Sequence, residues 1–179
     1  MCERPDPGHY PRMLEDPMDR QIGDFQRVAE LIRDIRIALL TTADRDGRFH
    51  TRPLETLAVD SDRRLWFFTD WGSPKVQELR HDVRVSLGYA DPGSKTYLAI
   101  SGVGTLEKDP HRARELWTPE QRAYYPKGPD DDRLAVLRVR IERAEYWIAP
   151  GRASYLLAAL EAGVSGTPAG IVGEHGKLG

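Results

Sequence analysis

The sequence predicts a mainly β protein, an antiparallel barrel of six strands with short helices that plug its ends or cross between strands. Three observations predict it. Six β-prone windows are joined mostly by tight turn signals, not by the regular helices of βαβ units. The longest window, Leu134–Ile148, alternates Leu137, Val139 and Ile141 with Arg138, Arg140 and Glu142, which gives one dry and one wet face. The 179 residues suit a single domain, able to bury about two-thirds of its unfolded surface in one core.

Residues 1–20 carry four prolines and no sustained period, and read as an irregular arm. From Ile22 to Ile35, apolar residues at Ile22, Phe25, Val28, Ala29, Ile32 and Ile35 draw one stripe of an amphipathic helix. The first strand, Ile37–Ala43, ends in the turn Asp44-Arg45-Asp46-Gly47. Phe49–Val59 is the second, and Ser61-Asp62-Arg63 turns the chain into the third, centred on Leu65-Trp66-Phe67-Phe68-Thr69. Ser73 and Pro74 then supply an N-cap and a first helical residue, with Val76 and Leu79 on the inner face. Strands Val83–Ala90 and Thr96–Glu107 flank the turn Asp91-Pro92-Gly93-Ser94. A short helix, Pro110–Trp117, and a loop rich in Pro and Asp, Tyr125–Arg133, precede the last strand, Leu134–Ile148. Residues 21–150 thus form the barrel, and residues 151–179 extend it through a helical stretch, Ala153–Ala162, and a Gly-rich end.

Composition narrows the function. A net charge of −2 gives no bulk attraction to nucleic acid or anionic membrane, so an anion site must be a local cluster. The single cysteine, Cys2, rules out an intramolecular disulfide or a cysteine zinc cluster. The five histidines show no paired metal spacing, and no metal site is expected. With no run near the roughly 18 apolar residues of a membrane span and no signal-peptide pattern at the amino terminus, a cytoplasmic location is expected. Gly102-Val103-Gly104 sits inside a strand and lacks a dinucleotide loop's third glycine, so it reads as a bulge or close packing. Asp130-Asp131-Asp132 reads as a solvated loop, and no Gly-x-Ser-x-Gly elbow is present.

Chemistry concentrates in two segments, His50-Thr51-Arg52-Pro53-Leu54-Glu55 and Phe67-Phe68-Thr69-Asp70-Trp71-Gly72-Ser73-Pro74-Lys75. A phosphate monoester needs charge-assisted donors, hydroxyls and a helix start. Arg52, Thr69, Ser73 and Lys75 supply that set, and pairing between the second and third strands would bring the four together. The competing reading leaves Arg52 and Lys75 as solvated charges and Ser73 as a plain cap.

These segments resemble the FMN-binding parts of pyridoxamine-phosphate-oxidase-like split barrels, in particular the general stress protein 26 group. Leu40-Thr41-Thr42, Gly47, His50-Thr51-Arg52-Pro53, Trp66-Phe67-Phe68-Thr69 and Ser73-Pro74-Lys75 carry the likeness. Ile100-Ser101-Gly102, Leu116-Trp117, the run Tyr124–Asp131 and Ala144-Glu145-Tyr146-Trp147 extend it. The resemblance implies a six-stranded split barrel that forms a homodimer with FMN at two sites between the subunits. It implies that Arg52 and Lys75 hold the phosphate with Ser73 and Thr69. The backbone of Thr51–Leu54 and Phe67–Thr69 would meet the polar ring edge, and Trp147 would reach the flavin from the partner; His50, beside Arg52, is grouped with these. Two departures argue against true pyridoxamine-phosphate oxidase activity. Leu57 stands where the oxidase has a lysine, and Ala149–Tyr155 lacks its Arg-Leu-His segment. The expectation is an FMN-dependent oxidoreductase acting on a small molecule, with NAD(P)H a candidate donor. The alternatives are a non-catalytic flavin-binding stress protein, or a barrel that uses deazaflavin or haem; FAD stands behind FMN.

Overall fold

A computed structural model describes residues 17–150, 152–165 and 173–179. The first sixteen residues of the expected arm lie outside that set, and its last four are already helical. Helix α1 spans Pro17–Ile35. Its stripe seals one end of the barrel with Val28, Leu31 and Ile32, which join the main core. The helix ends at Arg36, whose φ of 62° is left-handed and whose N–H donates to Ile32 O at 2.8 Å.

Eight strands follow where six were expected: β1 Ile37–Ala43, β2 Phe49–Glu55, β3 Ala58–Val59, β4 Arg64–Asp70, β5 Arg84–Asp91, β6 Thr96–Glu107, β7 Leu134–Ile148 and β8 Glu174–Leu178. They form one antiparallel sheet in the order β2-β1-β5-β6-β7-β4-β3, with β8 also paired to β7. Helices α2 (Pro74–His81), α3 (Pro110–Leu116) and α4 (Arg152–Ser165), with 3-10 turns at Pro119–Ala123 and Gly128–Asp130, complete the chain.

The two extra strands have physical causes. The window Phe49–Val59 changes partners midway: Thr56 N–H donates to Arg36 O, and Leu57 N–H to Trp66 O. Phe49–Glu55 therefore pairs only with β1, and Ala58–Val59 only with β4. The expected pairing of the second and third strands is thus confined to Ala58–Val59: β2 and β4 touch without a ladder, and the barrel is split there. Strand β8 is the second addition. It is short, and its Glu-His-Gly-Lys sequence lacks the apolar alternation that marks a strand; it pairs with the half of β7 beyond the reach of β4.

Strand β4 is apolar without interruption from Leu65 to Phe68 because both of its faces are buried there. Leu65 and Phe67 enter the barrel core, while Trp66 and Phe68 enter a second cluster with Ala113, Tyr125, Leu134 and Val136. Gly102 marks a bulge: the β6–β7 register shifts between Ser101 and Gly102, and Glu142 opposes no residue. A Cβ at Gly102 would overlap the Arg140 carbonyl oxygen. Gly47 closes the β1–β2 turn with φ of 79°.

The outward side of β1, β5 and β6 has an unusual character. Ile37, Leu39 and Thr41, then Ser86, Gly88 and Ala90, then Tyr97, Ala99 and Ser101 occupy its outward positions without a charge among them, and exposed Arg84 lies beyond Ser86 at the margin on β5. Ile37, Leu39 and Tyr97 are close to half exposed. Trp147 and His175 continue the Tyr97 row across β7 and β8. No helix among the described residues is long and apolar enough to cross a membrane.

Candidate functional site

Strand β4 delivers Thr69 to the start of α2, where Asp70 turns the chain through Ser73 N–H to Asp70 O at 3.0 Å. Ser73 holds the N-cap position with extended backbone, yet its side chain makes no capping bond. The hydroxyl accepts instead from Lys75 Nζ at 3.2 Å and approaches Thr69 Oγ1 to 3.5 Å. Burial, then the field of the Arg52 guanidinium, lower the Lys75 pKa below the usual lysine value. The β4–α2 junction thus gathers two hydroxyls and a half-buried ammonium, beside a helix N-terminus that favours anions.

Arg52 reaches this region from edge strand β2, by way of α2 rather than a ladder with β4. Its Nη2 donates to Glu78 Oε2 at 2.6 Å, and its Nη1 donates to His50 O at 2.9 Å and to Thr42 Oγ1. Glu78 is 6% exposed. It also accepts from Thr42 Oγ1 and lies 2.6 Å from His50 Nδ1. Burial pushes the Glu78 carboxyl up, but the bonds from Thr42, His50 and Arg52 outweigh it and hold the group at about 2.

Beside these groups opens a cavity of about 490 Å³. Pro53, Leu54, Phe68, Thr69 and Lys75 line it from the expected segments, and Leu57, Gln121, Tyr125 and Arg133 among others close it. Trp117 and an edge-on Tyr125 pack against Phe68 at 6.1 and 6.2 Å between ring centroids. Burial, then the nearby Asp70 carboxylate, push the Tyr125 phenol up to about 12, so it stays a neutral donor. Gln121 Nε2 donates to Glu55 Oε2 at 3.1 Å, and Arg36 binds the other oxygen of Glu55 at 2.8 Å.

The expected site residues are therefore brought together in part. Pro53, Leu54, Phe68, Thr69 and Lys75 share the cavity wall, with Ser73 touching Thr69 and Lys75. Arg52 and His50 meet on Glu78. Thr51 faces the outer surface, where its hydroxyl bonds Thr41 at 2.8 Å. The Phe67 side chain is sealed in the barrel core, so only its backbone could face a ligand. Trp147 stands twelve residues along β7 from Ala135, the pairing partner of Thr69. That is a path of roughly 40 Å at about 3.3 Å per residue, which puts Trp147 away from its own chain's cavity. It stacks on His175 at 5.5 Å.

Sequence reasoning missed Glu78, Thr42, Gln121 and Arg133. The signal for Glu78 was its place three residues after Lys75 and next to Leu79, on the helix face turned inward. Thr42 is legible only from the register that sets it opposite His50.

The family model described as pyridoxamine 5'-phosphate oxidase like matches residues 23–169. Protein bli-3 of Neurospora crassa is 24% identical over 168 residues, covering 88% of this chain and 79% of that protein. The solved structure of a general stress FMN/FAD binding protein from Xanthomonas citri superposes with a TM-score of 0.62 at 26% identity, covering 72% of this chain and 91% of the other. A Clostridium acetobutylicum protein related to general stress protein 26, at 22% identity, shares the fold with a TM-score of 0.63 over 70% of this chain and 89% of its own. The match of one family model across most of the barrel, on a split antiparallel sheet of the same shape, places the chain in the pyridoxamine 5'-phosphate oxidase-like family.

Proposed function

We propose that the chain is an FMN-binding flavoprotein that works as a homodimer and acts as an oxidoreductase on a small molecule. One observation carries the reading: a cationic and hydroxyl cluster, Lys75 with Ser73 and Thr69, forms one rim of a cavity with walls of Leu54, Leu57, Phe68 and Tyr125. Such a site fits a flat heteroaromatic ring ending in a phosphate, since apolar walls take the ring while an ammonium and hydroxyls take the dianion. Arg52 is the second cation of that phosphate site. The Xanthomonas citri relative, named for FMN/FAD binding, supports the same assignment.

A bound flavin would supply electron and hydride transfer, which no side chain here provides. The chain's own residues grip the phosphate, bury the ring against Phe68, and offer Tyr125 and Gln121 as neutral polar contacts. The four described histidines, His50, His81, His111 and His175, are all exposed, so none stands inside the barrel as a haem ligand.

The homodimer reading rests on the outer face of β1, β5 and β6, which is uncharged apart from Arg84 at its margin. Ile37 belongs both to that face and to the cavity wall. A second copy seated there would cover the face and the cavity mouth together, and a symmetric pair needs only this one patch. Trp147, on the same face, then becomes available to the partner's cavity.

The test is the absorbance spectrum of the purified protein, before and after mixing with FMN and gel filtration. Paired near-ultraviolet and blue bands that stay with the protein, and that bleach with NADH or NADPH, support the reading. No retained flavin after mixing would overturn it.

A further inference from the structure

Two carboxylates are buried among the described residues, Asp131 and Glu78. Asp131 serves its own loop, accepting from Arg133 and from Lys127 N–H. Glu78 serves no neighbour on its helix; its partners Thr42, His50 and Arg52 come from strands 26 to 36 residues away in sequence. A carboxylate withdrawn from water is costly unless its bonds return the loss, and a helix face turned inward would ordinarily carry an apolar residue there, as Val76 and Leu79 do.

We propose that Glu78 is the positioning residue of the anion site: with Thr42, it fixes the Arg52 guanidinium so that Arg52 and Lys75 converge on a phosphate. This rests on the phosphate reading given above. Two physical points carry it. An arginine on an edge strand has much rotamer freedom to lose when a ligand fixes it, and anchoring its Nη groups at Glu78, Thr42 and His50 O removes that loss before a ligand arrives. Arg52 and Lys75 also lie within each other's field, and a carboxylate between strand and helix offsets the repulsion of two neighbouring cations. Glu78 therefore acts on the ligand through Arg52 and touches no ligand atom itself.

The experiment is a flavin-fluorescence titration of the full chain with FMN and with riboflavin, which lacks the phosphate. Glu78→Ala is expected to weaken FMN about tenfold, the lower end for loss of a supporting partner, with riboflavin unchanged within twofold. Glu78→Gln, whose amide oxygen still accepts from Arg52, should keep FMN within about threefold of the parent. Thr42→Val, which spares the buried carboxylate, should weaken FMN in the same direction and serves if Glu78→Ala fails to fold. Equal or tighter FMN binding by Glu78→Ala would mean that the carboxylate only competes with the phosphate, and equal loss of both flavins would mean a purely structural role; either overturns the proposal. Arg52→Ala in the same assay separates the failures. If it weakens FMN while Glu78→Ala does not, only the positioning role falls; if it changes nothing, the phosphate site is misplaced and the role falls with it.

Discussion

His50 Nδ1 and Glu78 Oε1 stand 2.6 Å apart, tying edge strand β2 to helix α2 across 28 residues of sequence. With Arg52 on the other carboxylate oxygen, this contact holds the barrel's free edge against the helix.

The ionisation of Glu78 carries a pH signature. Its folded pKa is about 2, below an ordinary value of 4.5. A group depressed on folding stabilises the protein above its unfolded pKa, and that stability is lost as pH falls through the folded value. Glu78→Gln should therefore be less stable than the parent at pH 6–7, and the gap should close between about pH 4.5 and 2. Urea unfolding across that range measures it; a gap independent of pH would refute the assignment.

Gly102→Ala should destabilise the barrel. The added methyl meets the Arg140 carbonyl oxygen of the neighbouring strand, which is backbone and cannot rotate away. Overpacking of this kind costs about 1–3 kcal/mol. Gly88→Ala, where nothing lies within 4 Å of the new methyl, is the control and should shift the urea midpoint much less.

Leu39→Arg tests the dimer. Leu39 is 49% exposed on the outer face of β1, β5 and β6, and a cation there would be withdrawn from water against the partner copy in a two-fold interface. The parent should scatter light as a dimer and the variant as a monomer, with FMN affinity reduced because the cavity mouth is uncovered. A monomeric parent that still binds FMN would contradict the interface.

Much of this was legible in the sequence, for identifiable reasons. The apolar stripe of α1, the Ser73-Pro74 start of α2 and the turn at Gly47 are local signals, and all three appear in the structure. Gly102, read as a bulge or close packing, proves to be both. What escaped was non-local. The division of Phe49–Val59 depends on Thr56 and Leu57 finding acceptors on Arg36 and Trp66, which no short window shows. Glu78 stands next to Leu79 on α2, but no local signal shows that Thr42, His50 and Arg52 converge on it. The likeness that drew Arg52 and Lys75 together reflects their shared neighbourhood on α2, not the strand pairing first inferred.

Oxidation of phosphorylated pyridoxamine should be negligible. Leu57, where a lysine would be needed, is an apolar part of the cavity wall, and the resemblance offers no Arg-His pair after Trp147. Hydrogen peroxide release by the FMN-loaded protein with that substrate measures it; steady turnover would show that the two departures do not matter.

Arg52 and Lys75 together make the proposed FMN phosphate site. Removing one partner of a partly buried charge-assisted contact costs about 2–5 kcal/mol, or roughly 30-fold to several thousandfold in affinity. Arg138→Ala serves as the control, because Arg138 pairs with Glu107, packs over Trp66 and does not line the cavity. The deciding measurement is quenching of flavin fluorescence on titration with Arg52→Ala, Lys75→Ala and Arg138→Ala. A loss of at least 30-fold for FMN is expected in the first two, little further loss for riboflavin, and parental binding in the third; parental FMN affinity in both site variants would place the phosphate elsewhere.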